Sequence, residues 1–378
     1  MKCSYRSKID PFLVMDVMEQ AQKIEELGKR VIHLEVGQPS AGVSQKAINV
    51  VTNSINKYPL GYTVSLGLPE LREGISLLYK KWYNLEIDAS RVIITSGSSA
   101  AFLLAFTSLF DVGERVGVTE PGYPSYRQIL KSLSLRPVGL PTSKNSGHIP
   151  NLSAVKMDGI ILASPANPTG SILPKSELKK LIKECSDRNI SFISDEIYHG
   201  LHYGKRCTSA LEITDDVYVI NSFSKYFSMT GWRIGWMIVP AGHMRTIEKL
   251  AQNMFICAPH VSQVAALAAL DTIDVAENLK AVYKTNRALL LQALPELGLN
   301  LEAEPDGGFY IYVNVTSKTE NSLELVRDIL RKVGVAITPG LDFDPKRGKF
   351  TLRLSYACST LDLQEGIKRL REYFSDGL

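Results

Sequence analysis

The sequence predicts an α/β fold: a mainly parallel sheet between helices, followed by a smaller α+β domain. Three observations carry this. Five short apolar, β-rich runs recur along the chain: RVIIT from Arg91, RVGVT from Arg115, GIILAS from Gly159, SFISD from Ser191 and VYVIN from Val217. Near-continuous apolar strands belong to sheets buried on both faces, as parallel sheets are. Helical patterns such as AAFLLAFTSLF and KSELKKLIKECSDR separate most of these runs, the alternation of a helix-covered sheet. The rhythm then stops. The stretch from about Ala265 to Ala303 reads as long helix, and GGFYIYVNV and FTLRLSYA read as strands around a helix at Ser322 to Val333.

Taken in order, KIDPFLVMDVMEQAQKIEELGKR reads as a helix entered through Asp10-Pro11, with Pro11 in its first turn and Gly28 as its stop. The short apolar strand VIHLEVG follows. A second helix is predicted from Gln45 to Lys57, and a third after Leu68-Pro69, through ELREGISLLYKKWY. The N-terminal helix is expected to return and pack with the C-terminal domain. No internal repeat or low-complexity segment interrupts the chain.

Composition narrows the function classes. With 378 residues, 45% hydrophobic and 22% charged, the chain can bury a large core. A net charge of +4 is slight, and no dense basic stripe marks a nucleic-acid binder. Cys3, Cys185, Cys207, Cys257 and Cys358 are scattered without a CxxC pair, which fits a reducing compartment better than a disulfide framework or a zinc site. MKCSYRSKID has no apolar core, and the longest apolar stretches fall far short of a membrane span. The expectation is a soluble cytoplasmic protein that engages neither nucleic acid nor membrane.

The unusual polar residues fall just after the predicted strands, where ligands bind in such sheets. RVIIT leads to SGSSA, RVGVT to EPGYPSY, GIILA to SPANPTG, SFIS to DEIYHG and VYVIN to SFSK. SGSSA puts Ser98 and Ser99 at a helix N-terminus, whose free N–H groups and dipole suit a phosphate, although a plain capped helix has the same look. SFSKYFSMTGWR adds Ser222, Ser224 and the Arg233 guanidinium, which matches phosphate geometry. No GxxxxGK[ST] loop and no GxGxxG fingerprint occurs, while a mononucleotide stays open.

Lys225 follows Ser224 directly. Alone it would be an exposed lysine, but beside Arg233 it can have a lowered pKa and act as an amine nucleophile. A phosphate next to such a lysine is the arrangement that pyridoxal 5′-phosphate requires. Asp195 ends an apolar strand, where a carboxylate needs a partner, and a pyridinium nitrogen would supply one. Tyr198 and Asn167 can reach the ring oxygen of such a cofactor, and Asn167-Pro168 is a candidate cis bond. Tyr123 can stack on the ring or pack in the core. His199 and His202, at i and i+3, lack any supporting carboxylate or cysteine motif, so no metal is expected.

PANPTG, SDEIY, SFSKYFSMTGWRIGW and RLSYA resemble the motifs of class I aminotransferases, pyridoxal-phosphate enzymes of the aspartate aminotransferase fold. The resemblance spans the chain from KIDPF to RLSYA. It implies the fold type I architecture: a large domain with a seven-stranded sheet at 41–275, a small C-terminal domain at 276–378, and an N-terminal arm at 1–40 that joins the small domain. It also implies roles. Lys225 would form the internal aldimine and move the substrate proton, and Asp195 would pair with the pyridine nitrogen. Asn167 and Tyr198 would bind the ring oxygen, Tyr123 would stack, and Ser98, Ser99, Ser222, Ser224 and Arg233 would hold the phosphate. Tyr62, in YPLGYTVSLGLPELRE, would reach the phosphate of a partner subunit, making a homodimer with shared sites. Arg353 in RLSYA would clamp the substrate carboxylate, with the backbone of Gly37 in LEVGQPS beside it. These last two roles come from the resemblance alone.

The implied reaction is amino-group exchange between an L-amino acid and a 2-oxo acid by a ping-pong path. The same fold and cofactor also serve C–S lyases and decarboxylases, and the motifs do not separate these outcomes. A third reading, a non-enzymatic effector-sensing module, expects a fused DNA-binding domain, for which the few residues before KIDPF leave no room. No motif marks a second arginine for a side-chain carboxylate.

Overall fold

The computed structural model describes residues 1–153 and 155–376. The chain opens with helix α1 (Leu13–Glu26), the two-residue strand β1 (Ile32–His33), α2 (Gln45–Lys57) and α3 (Pro69–Tyr83). Then come β2 (Val92–Thr95), α4 (Gly97–Leu109), β3 (Arg115–Glu120), α5 (Pro124–Ser132), β4 (Arg136–Pro141), β5 (Gly159–Ala163), α6 (Lys175–Asp187), β6 (Ser191–Asp195), β7 (Tyr218–Ser222) and β8 (Gly235–Ile238). Helices α7 (Met244–Met254), α8 (His260–Leu270) and α9 (Ile273–Ala293) lead to β9 (Asn300–Leu301) and β10 (Tyr310–Asn314). The chain ends with α10 (Ser322–Val333), β11 (Val335–Ala336), β12 (Thr338–Pro339), β13 (Thr351–Ser355) and α11 (Thr360–Asp376).

A seven-stranded sheet in the order β2-β8-β7-β6-β5-β3-β4 forms the centre. All its pairings are parallel except those of β8 with β2 and β7, so β8 alone runs against the rest. The continuous apolar runs are explained by the pleat, which sends alternate side chains to opposite faces. Ile93, Ile161, Ile193 and Met237 join one buried cluster, while Ile94, Ile160, Phe192 and Trp236 join another. Helix α4, between the sheet and α7, is apolar nearly all round for the same reason. The strands RPVGLP and GWMI were not foreseen. The first lies at the sheet edge, where Pro137 and Pro141 are tolerated.

A smaller antiparallel sheet, β12-β13-β10-β9, follows. Strand β1 pairs in parallel with β11, and α1 packs on β11 and β12, so the N-terminal segment does return to the C-terminal elements.

Two expectations need correction. Pro11 precedes the first helix instead of sitting in its first turn. The N-cap is Phe12, because the Asp342 carboxylate accepts from the Leu13 and Val14 N–H groups and fixes the start there. The stretch Ala265 to Ala303 is not one helix: α8 stops at Leu270, Thr272 breaks the helical path at φ −121° and ψ 41°, and α9 ends at Ala293 before Pro295 and Gly298 turn the chain into β9.

Candidate active site

The C-terminal ends of β2, β3, β5, β6 and β7 converge on one edge of the large sheet. Because β8 is reversed, its N-terminal end lies at that same edge, which brings in Arg233 two residues before it. A cavity of about 250 Å³ opens there, closed from the far side by α1 and the small sheet. Its wall contains Gly37, Ser98, Ser99, Tyr123, Asn167, Asp195, Tyr198, Ser224, Lys225, Arg233 and Arg353.

At one end, α4 starts at Gly97 with Ser98 and Ser99 in its first turn. Arg233 lies against it so closely that a Cβ on Gly97 would sit 2.5 Å from Nη2, and Gly97 is at φ +75°. A guanidinium beside the positive end of a helix is a like-signed pair, which suits only an anion between them. Ser224 completes this rim. Ser222 stands behind it, outside the cavity wall: its Oγ accepts from the Ser224 N–H at 3.1 Å and lies 3.0 Å from the Ile234 carbonyl, so it shapes the turn.

Asp195 is buried, and its hydrogen bonds come from neutral donors, the Ile197 N–H at 3.1 Å and the Tyr126 hydroxyl. Burial pushes its pKa up to about 6, with those two bonds opposing. The Lys225 amine donates to the Gly37 carbonyl at 2.6 Å. Burial, and then the charges of Arg353 and Arg233, bring its pKa down to about 8, against the pull of Asp195. A pKa near 8 leaves about a tenth of the amine neutral at pH 7.

Arg353 is 2% exposed and has no carboxylate against it. Nη1 donates to Asn167 Oδ1 at 3.0 Å, Nη2 donates to the Glu35 carbonyl and to Thr338 Oγ1, and Nε has no partner. The guanidinium lies between the Tyr310 ring, 4.2 Å away, and the Phe343 ring, 4.9 Å away. A buried cation whose hydrogen bonds all go to neutral acceptors is expensive to maintain, so this group points to an anionic ligand on physical grounds.

Several wall residues went unforeseen. Tyr310 shares a hydrogen bond with Tyr198 at 2.8 Å, and its hydroxyl would lie 1.8 Å from a Cβ on Gly37, so only glycine fits there. Tyr126, three residues after Tyr123, holds Asp195. Phe12, Val14 and Met15 line the cavity from the start of α1. The spacing in PGYPSY was the one local signal for Tyr126; the others depend on tertiary packing. Tyr62 lies outside the cavity and is 83% exposed. The Asn167–Pro168 bond is cis. His199 is buried, with Nε2 2.8 Å from the Ser164 carbonyl and Nδ1 beside the Tyr83 hydroxyl, and burial brings its pKa down to about 3.

The arrangement can bind two anions, one at the α4 terminus and one at Arg353, with a nucleophilic amine and a carboxylate in the same cavity. Among known proteins, the model for the family "Aminotransferase class I and II" matches residues 29–370. Valine–pyruvate aminotransferase of Mycobacterium tuberculosis is 38% identical over 98% of this chain and 97% of its own. A crystal structure from Silicibacter pomeroyi is 51% identical, covers both chains fully and superposes with a TM-score of 0.95. A double mutant of Thermus thermophilus aspartate aminotransferase is 26% identical over 98% of this chain and 99% of its own, with a TM-score of 0.92.

Proposed function

The chain belongs to the family of class I and II aminotransferases, and from this premise we propose that its cavity exchanges an amino group between an L-amino acid and a 2-oxo acid. The family uses pyridoxal 5′-phosphate. The residues present fit that group: a helix terminus with a guanidinium for the phosphate, a buried carboxylate hydrogen-bonded by neutral donors for the ring nitrogen, and an amine of lowered pKa. When bound, the cofactor supplies an electrophilic carbonyl and a ring that accepts electrons.

The chain's own residues then divide the work. Ser98, Ser99, Ser224 and Arg233 would hold the phosphate, with Ser222 shaping their turn. Asn167 and Tyr198 would bind the ring oxygen, and Tyr123 would cover the ring. Asp195 would keep a proton on the ring nitrogen. Lys225 Nζ, as a free amine, takes the proton from the substrate Cα and returns one later in the cycle. Arg353 and the Gly37 backbone orient the substrate carboxylate. Of these observations, the buried Arg353 with no carboxylate in contact carries the reading furthest, because it calls for one in the cavity that holds the lysine.

Tyr62 is assigned to a second copy of the chain. It lies in a segment where Tyr58 and Val64 are also more than 60% exposed, an apolar patch that suits an isologous dimer with shared sites. The N-terminal arm at 1–40 and the small domain at 276–378 are proposed as one body, opposite the large domain at 41–275. Among the described residues no helix is long and apolar enough to cross a membrane. All five cysteines are free, which supports a cytoplasmic location.

A panel of amino donors and oxo acids tests the reaction, scored for new amino acid and for released ammonia or pyruvate. New amino acid in step with donor consumption is the expected result. Ammonia and pyruvate without a new amino acid would make it a lyase, and carbon dioxide a decarboxylase.

A further inference from the structure

We propose that Asp342 is a positioning residue that holds the first turn of α1 as an apolar wall of the cavity, and that this wall selects amino donors with uncharged, apolar side chains. The proposal rests on the cavity being the active site and names its substrate class.

The first turn of α1 has no cap of its own, since Phe12 at the N-cap offers no side-chain acceptor. Its cap comes from 328 and 329 residues away: Asp342 Oδ1 accepts from Leu13 N at 2.8 Å and Oδ2 from Val14 N at 2.9 Å. Both oxygens of a buried carboxylate are thus committed to one helix end, whose dipole favours negative charge. The next residue, Phe343, packs against the Arg353 guanidinium. Strand β12, just before this turn, pairs with β13 at Thr338↔Arg353, and Thr338 Oγ1 accepts from Arg353. One short turn therefore braces the carboxylate clamp with Phe343 and the wall of α1 with Asp342. The distance between clamp and wall is set by the same few residues.

The wall's chemistry is apolar. Phe12, Val14 and Met15 face the cavity, and Phe12 meets Tyr123 edge to face with ring centroids 6.1 Å apart. The basic side chains among the described lining residues are Lys225, Arg233 and Arg353, and each already has a role toward amine, phosphate or α-carboxylate. Among this chain's own residues a second carboxylate would lose water against Phe12 and Val14, with the half-exposed Met15 at the mouth, and find no unassigned cation. An apolar side chain gains roughly fourfold in affinity for each methylene it buries.

The test uses the cofactor-loaded enzyme with Asp342→Ala, Asp342→Asn and Met15→Glu. L-leucine, L-alanine and L-aspartate serve as donors, with amide hydrogen exchange and cofactor titration as further readouts. The wild type should prefer L-leucine over L-aspartate at least about a hundredfold in kcat/KM. Asp342→Ala should speed exchange of the amides at Leu13 and Val14 and raise KM for L-leucine about tenfold. L-alanine, which scarcely reaches the wall, should change less, and kcat and cofactor affinity should hold. Asp342→Asn, which keeps one acceptor, should fall between wild type and Asp342→Ala. Met15→Glu should lower kcat/KM for L-leucine without changing exchange at Leu13 and Val14, and it serves even if Asp342→Ala does not fold. Unchanged exchange overturns the pin. Equal losses for L-leucine and L-alanine, or L-aspartate used as well as L-leucine, overturn the selection. Failure of the wild type to bind cofactor would overturn the active-site assignment and the substrate class together, with exchange still deciding the pin.

Discussion

In the folded, cofactor-free protein Asp195 keeps its proton to a higher pH than in an unfolded chain, because burial raises its pKa from 3.8 to about 6. The folded state therefore binds more protons between those values, and the residue's contribution to stability falls as pH rises through them. Relative to Asp195→Asn, the cofactor-free wild type should lose about 2 kcal/mol between pH 4 and pH 7, read from denaturant unfolding of both proteins. Saturating cofactor should flatten or reverse this slope, since a ring cation favours the carboxylate. A slope that ignores cofactor would mean that Asp195 faces no cation. At Arg353 the unpartnered Nε and the two ring faces leave little room for a lysine to substitute. Arg353→Lys should lower kcat/KM for every amino acid and oxo acid about ten- to hundredfold, or roughly 1.5–3 kcal/mol. Amines without a carboxylate should be nearly unaffected. A uniform loss across both kinds of substrate would mark Arg353 as a support of the fold.

At the scale of elements, the reversed strand β8 makes the phosphate rim possible, since it delivers Arg233 to the terminus of α4. Gly97 is the contact point, at φ +75° and under the guanidinium. Gly97→Ala should weaken cofactor binding at least about tenfold in a spectroscopic titration, while kcat at saturating cofactor changes little; unaltered affinity would separate this helix end from the phosphate. How much of this was legible follows the range of the signal. Helices α2, α3 and α10 begin and end on local signals (Ser44, Pro69, Asn321 and Gly334) and were readable to the residue or nearly so. Strand β8 was absorbed into the GWRIGW motif, because four apolar residues say nothing about direction. The residues after the strand ends were readable because chemistry sits oddly on apolar neighbours. Tyr310, Phe12 and Asp342 carry no such oddity, and their roles arise from partners far along the chain. Arg353 reads as a strand residue until its burial among neutral acceptors is visible.

For the whole molecule, the exposed Tyr62 predicts a site completed by a second copy. Tyr62→Phe and Lys225→Ala homodimers should each be impaired, while mixing them creates a heterodimer with one intact site and one doubly damaged site. Activity of the mixture should exceed the average of the two parents. If it equals that average after subunit exchange is verified by mass, Tyr62 acts within its own chain or has no role.

The stitching of the chain's two ends bears on how the protein is made. Strand β1 finds its hydrogen-bond partner at Val335–Ala336, and α1 is capped by Asp342. During synthesis, the segment made first therefore waits for one of the last. At roughly 5–20 residues per second, the 329 residues between Leu13 and Asp342 take about 15–65 s to appear. For that interval the first turn of α1 lacks its cap and its face lacks β11 and β12, although Asp10 and Phe12 can already meet Lys131 and Tyr123. Nascent chains held at about residue 300 should expose α1 to protease, whereas released full-length chains should protect it.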